Sequence, residues 1–248
     1  MIISLINRSK EISDEEMQRV VRALNRQITE DFTPYWSFGA TVRLEGAVGH
    51  RINKQSMSDM RGDAVVYVVD GVDKIGAEGW HDTNFRDIPA GYVYLGMCKK
   101  VKDPWTVALS HEALELVGDP MANMLVQGPH PVQRGRTVFH LFEMCDAVQV
   151  ETYQIDGVEL SNFVLPSYFT PGEQEGRRND FLNRSHPVGT TKKMATLKSF
   201  GVNPGGYLNF LNPHTNKWES PTFDAIAEKR KKLKAAMGLG RTFRRVQG

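Results

Sequence analysis

The chain has 248 residues, 40% hydrophobic and 24% charged, the composition of an ordinary globular protein with room for one large domain or two small ones. No apolar run approaches the roughly 20 residues that span a bilayer, and no basic start or small-residue cleavage site marks a signal peptide, so a soluble cytoplasmic protein is expected. Cys98 and Cys145 are too few for a disulfide framework, and the net charge of +2 is uneven, with +6 on Asp224 to Gly248 and −4 on the remainder.

Ser13-Asp14-Glu15-Glu16 is a capping box, a hydroxyl followed three residues later by Glu. Met17, Val20, Val21, Leu24 and Ile28 then recur at helical spacing, which predicts a helix to about Asp31 that stops before Pro34. Ala40 to Leu44 reads as a short strand. Ala64 to Val69 is a Val-rich run closed by Asp70-Gly71, the pattern of a buried strand. Gly91 to Gly96 is another, and Gly76 to Asp82, with Trp80 and His81, reads as a short edge strand. Gly46 to Gly62 is polar and shows no element.

Trp105 to Val117 has the pattern of an amphipathic helix, with Gly118 at its end and Pro120 beyond. Asn123 to Arg136 reads as loop. Thr137 to Glu143 leads into a hairpin, Val148 to Ile155 and Val158 to Leu165, turned by Asp156-Gly157. Thr170 to Thr191 is polar and loop-like, Gly205 to Leu211 a further strand, and Phe223 to Met237 a basic amphipathic helix. The chain therefore divides into a domain over 1–170, a loop and strand extension packing on it over 171–221, and a basic tail over 222–248.

The residues with chemistry concentrate on the second helix. His111 and Glu115 stand one turn apart on one face, with Glu112 beside them. A zinc metalloprotease helix has the form H-E-x-x-H, two histidines on the ion and the Glu as general base. Glu115 replaces the second histidine, and a carboxylate is also an accepted ligand. The third ligand comes from elsewhere: Glu143 ranks first, Asp146 second and His81 third. With Glu143 as ligand, Asp146 would orient His111, Glu112 would be the base, and Asp119, behind the ligands, would turn the chain before Pro120. Two carboxylates and one neutral imidazole cancel the charge of a dication. They make it a weaker Lewis acid than a two-histidine site and favour harder ions such as Mn or Ca. His50, His130, His140, His186 and His214 read as loop or surface histidines. Cys145 reads as a small buried hydrophobe, since the acids beside it would suppress its thiolate.

Ser110-His111-Glu112-Ala113-Leu114-Glu115, Gly118-Asp119-Pro120, Glu143-Met144-Cys145-Asp146, Tyr153 to Val158 and Ser161 to Pro166 resemble a group of bacterial and phage proteins. That group has an S-H-E-x-L-E…D-P helix followed by E-x-C-D and a D-G hairpin. Gln27, Asp31, Phe32, Pro34 and Trp36 and the run Gly79 to Asp82 match it as well, so the likeness covers about residues 12 to 210. The order of elements is similar to that of zincin metallopeptidases. The resemblance implies an α+β fold: a zincin-like mixed sheet with an active-site helix, plus a C-terminal extension ending in a basic helix. It also implies that the strand holding His81 lines the substrate cleft, where His81 would act near the ion or bind an oxyanion.

Two functions are carried forward. One is metal-dependent hydrolysis of a peptide or amide bond, with zinc or another divalent ion on His111, Glu115 and Glu143, and Glu112 and His81 as catalytic groups. The other is a non-catalytic structural protein of a phage particle, docked on other virion proteins through the basic tail 228–245. Nucleic acid is a weaker partner for that tail, because only Phe243 lies among its basic residues to stack on bases.

Overall fold

The structure, a computed structural model, describes residues 1–45, 62–72, 77–84, 87–172, 176–188, 191 and 193–235. The polar stretch 46–61, with His50, and the tail beyond 235, with Met237 and Phe243, lie outside the described residues. The fold is α+β around a mixed sheet. Among the described residues no helix is long and apolar enough to cross a membrane.

Strands β1 (Ile2–Asn7), β2 (Thr41–Leu44), β3 (Ala64–Val69), β4 (Gly79–Thr83) and β5 (Pro89–Tyr94) form that sheet in the order β2-β1-β3-β5-β4. All neighbours are parallel except β4, which runs antiparallel along β5 at the edge. The pleat sends Ile3, Leu5, Val66, Val68 and Val93 to one face, where they join the main core, and Ile6, Val65 and Tyr67 to the other. His81 pairs with Gly91, so His81 and Gly79 share a face of the edge strand.

Helix α1 (Asp14–Arg26) begins where expected, with the Glu16 N–H donating to the Ser13 hydroxyl at 3.1 Å. It does not stop before Pro34. A wide π-helical turn, Gln27–Phe32, follows, and α2 (Thr33–Trp36) carries the chain on to Ser37, at φ 61°. The Thr33 N–H donates to the Ile28 carbonyl five residues back, and the Thr33 hydroxyl donates to the same oxygen at 2.7 Å. That shift places Pro34 in the first turn of a new helical segment, where its missing N–H costs nothing.

Two further helices follow the sheet. Helix α3 (Leu95–Val101) begins within the run read as the end of a strand, and α4 (Trp105–Gly118) is the helix with the chemistry. Its expected polar face does not meet solvent: every residue from Val107 to Val117 is buried. A helix buried all round has packing partners on every side, so Ser110, His111, Glu112 and Glu115 face protein.

Asn123 to Arg136 is not all loop. Strand β6 (Leu125–Pro129) pairs with β7 (Thr137–Leu141), and Pro129 is accommodated because β6 is an edge. The hairpin β8 (Thr152–Ile155) and β9 (Val158–Ser161) turns on Asp156 at φ 51° and Gly157 at φ 73°, the left-handed pair of a type I′ turn. In the extension, β10 (His186–Pro187) pairs with β11 (Met194–Ala195). Strands β12 (Phe210–Asn212) and β13 (Lys217–Glu219) complete a second sheet, β13-β12-β7-β6, with Phe210 opposite His140. His130 and His140 are therefore buried rather than superficial, ringed by Phe200 and Phe210. Helix α5 (Ala225–Ala235) returns to the body through Ala227 and through Arg230, which pairs with Asp103 and, at 3.1 Å, with Glu78. Lys229, Lys231 and Lys232 point outward.

Candidate metal centre

Three segments converge on the middle of α4. The helix supplies His111, Glu112 and Glu115. The edge strand β4 supplies His81. The turn after β7 supplies Glu143, Cys145 and Asp146. Each segment is held by its own hydrogen bonds. Ser110 Oγ accepts from the Ser161 N–H at 2.7 Å and fixes the helix to β9. The turn after β7 is held by the Phe142 N–H donating to Met124 O, and by Met144 O accepting from the Val164 N–H. The Cys145 N–H donates to Glu115 Oε1 at 3.2 Å. Gly79 lets the helix approach, because a Cβ there would lie 2.6 Å from Glu112 Cγ.

Glu115 is the pivot. Its Oε1 lies 3.1 Å from His111 Nε2, and its Oε2 lies 3.7 Å from His81 Nδ1. His81 Nδ1 is also 3.5 Å from Glu112 Oε2, and His81 Nε2 is 3.9 Å from Glu143 Oε2. On the other side, His111 Nε2 is 3.2 Å from Asp146 Oδ1. The side chains of His81 and Glu115 are 0% exposed and that of His111 11%, so these charges interact with little water between them.

Two triads have ligand atoms within 4.8 Å of one another among the described residues: His81, Glu115 and Glu143, and His111, Glu115 and Cys145. Four donors bound at ~2.1 Å to one tetrahedral ion stand about 3.4 Å apart, close to these spacings. Both ring nitrogens of His81 are buried with no hydrogen-bond partner. An ordinary N–H···O contact is roughly 2.7–3.2 Å, so the carboxylates at 3.5–3.9 Å stand off at the reach of a shared cation. The donor set thus fits a divalent ion, and the buried His, Glu and Cys groups can hold one.

The electrostatics agree with that need. Burial pushes the Glu115 carboxyl up to about 8, with Glu143 and Asp146 adding to the rise and His111 opposing it. Burial pulls His81 down, but Glu143, Glu112 and Glu115 outweigh it and its pKa ends raised. His111 goes the same way and further, lifted against burial by Glu115, Asp146 and Glu112. Burial, then Glu115 and Asp146, hold the Cys145 thiol well above its usual range. In the absence of an ion, protons on the imidazoles and on Glu115 keep the carboxylates together.

His111 and Glu143, expected on one ion, fall in different triads joined by Glu115. His81, ranked third as a ligand, stands against three carboxylates. Asp146 lies beside His111. Asp119 accepts from the Met124 N–H at 2.8 Å and closes the turn after α4. Cys145 is fully buried as expected, yet its thiol sits in ligand range of His111 and Glu115. The signal for His81 was its place on a short edge strand, which the likeness to zincins puts along the cleft. Cys145 stands in the E-x-C-D run but reads as a small buried hydrophobe and not as a ligand. No protein-family model, no curated protein and no solved structure matches the chain.

Proposed function

We propose that this protein is a metal-dependent hydrolase of peptide or amide bonds, with its ion on His81, Glu115 and Glu143. The observation that carries the reading is the grouping of those three side chains with Glu112 in one buried volume. Support also comes from the sheet. Its antiparallel edge strand β4 lies against α4, the placement that the likeness to zincins implies, and an extended peptide can lie along such an edge.

A divalent cation would supply Lewis acidity, polarising the scissile carbonyl and acidifying water. Glu112 takes the proton from the attacking water at Oε2 and returns it to the leaving amine. Gly79 fixes the reach of Glu112, and the second imidazole, His111, holds Glu115 in place through its Oε1. Zinc suits the imidazole, and the carboxylates also admit harder ions.

A second reading has its own observation. The cluster is almost wholly buried, which suits an ion that only staples the fold, as in a structural protein of a particle. The exposed Lys229, Lys231 and Lys232 on α5 would then be the docking face. The experiment is direct. Purified protein and its Glu112→Gln variant are assayed for bound metal and for cleavage of a mixed peptide library. Hydrolysis is expected to fall roughly 100-fold or more in the variant with the metal content unchanged. Metal in both with cleavage in neither would leave only the stapling role.

A further inference from the structure

We infer that the centre is dinuclear: a second divalent ion, with a thiolate ligand, binds His111, Glu115 and Cys145, and Glu115 bridges it to the first. This rests on the reading that an ion occupies the Glu115 cluster, and extends it by a second site of different chemistry.

The two oxygens of one carboxylate have different neighbours. Glu115 Oε2 faces His81 at 3.7 Å, and Oε1 faces His111 at 3.1 Å. Glu115 is the one residue common to the two triads. Bridging carboxylates hold paired ions roughly 3.5–4 Å apart in two-metal hydrolases. The ligand inventory points the same way. Two imidazoles, four carboxylates and a thiol are more donors than one ion with four or five positions can use. The first half has both nitrogens of His81 buried without a hydrogen-bond partner, and in the second His111 Nε2 stands between Glu115 Oε1 at 3.1 Å and Asp146 Oδ1 at 3.2 Å.

The halves differ in softness. The first offers one nitrogen and carboxylate oxygens. The second adds Cys145 Sγ, with Asp146 Oδ1 3.2 Å from the ligating nitrogen of His111. Thiolate selects zinc, or cobalt as its probe, over Mg or Ca. On binding, the thiol proton leaves for solvent and sulfur takes its place on the ion.

Cobalt(II) is the test, added to the full-length protein freed of metal. Two equivalents per chain are expected, with a near-ultraviolet thiolate-to-cobalt charge-transfer band. Cys145→Ser should lose the band and one equivalent while keeping the other, and Cys98→Ser, a control in α3, should keep both. His81→Ala should lose one equivalent and keep the band. A parent that binds one equivalent or none, a missing band, or a Cys145→Ser variant that still binds two overturns the proposal. The hydrolase reading is judged separately. One equivalent with peptide cleavage sinks the second ion alone, whereas two equivalents without cleavage sustain it and remove the hydrolase.

Discussion

Among the described residues, the buried polar side chains around Glu151 and those around Glu115 are built on opposite plans. Around Glu151 the acid is matched by amides. Its Oε2 accepts from Asn162 Nδ2 at 2.7 Å, and its Oε1 accepts from Asn203 Nδ2 at 3.0 Å and meets His186 Nε2. Asn162 also donates to Asp180, whose Oδ2 takes the Asn183 N–H. Around Glu115 stand two imidazoles, which in turn meet the carboxylates of Glu112, Glu143 and Asp146, every imidazole-to-carboxylate distance lying at 3.1–3.9 Å. Neutral amides satisfy a carboxylate from within the chain and tie Asp180, His186 and Asn203 to the base of the hairpin. Carboxylates cannot satisfy one another, so that region needs protons or a cation.

The comparison can be broken by experiment. The largest effect is expected at the satisfied cluster. Glu151→Ala strands the donors of Asn162, Asn203 and His186 and should cost about 4 kcal/mol, since each unsatisfied buried group costs roughly 1–3 kcal/mol. Thermal unfolding should show a drop of roughly 10 °C, equal in chelator and in excess metal. An unchanged midpoint would mean that the network holds nothing.

Metal removal should come next. At about 100-fold excess over Kd, an ion adds about 2.7 kcal/mol to the folded state, and chelation should reverse this gain. His81→Ala should remove the part of that gain that comes from the ion held by His81, Glu115 and Glu143, and keep the rest. Gly79→Ala follows, at about 2 kcal/mol, because the new methyl must push against Glu112. On the proposed mechanism its peptide cleavage should fall by more than its stability loss explains, because the displaced side chain is the proposed base.

The gentlest test is pH. Glu115 has a folded pKa raised to about 8 from an ordinary 4.5, so between those values the folded state holds a proton that the unfolded chain has lost. His81 and His111 are raised above 6.5, and their contribution is present below that value and lost as pH climbs through their folded pKa. All three shifts have the same sign. Metal-free protein should lose stability steadily from about pH 4.5 to about pH 8. Ion binding needs deprotonated ligands, so the gap between loaded and free protein should widen over the same range. Parallel curves would indicate that these groups hold no ion.

Local features were readable before any coordinates. Ser13 caps α1, Asp156-Gly157 turns the hairpin, and Ala64 to Val69 is a buried central strand. Each depends on contacts a few residues apart, and residue type alone states them. The stop expected at Pro34 failed because a π-helical turn re-registered the helix ahead of it, a choice stabilised by distant aromatic packing of Phe32 and Trp36 on Phe163 and Phe142. The polar face of α4 reads as a place for metal ligands, but its complete burial was not legible, because periodicity along a helix does not say what stands opposite it. His130 and His140 were misread for the same reason: β12, about 70 residues later, covers them.

The sequence by itself determined that His111, Glu112 and Glu115 share one helical turn, since 3.6 residues per turn admits no other arrangement. It did not determine what they meet. The sheet order placed β4 at the edge beside α4, the register of β4 on β5 turned His81 inward, and the turn after β7 delivered Glu143 and Cys145 to the two triads that share Glu115. Those are non-local events, set by which apolar faces pack together. Spacing along the chain contains no record of them, and only the tertiary structure decides which charges share a volume from which water is largely excluded.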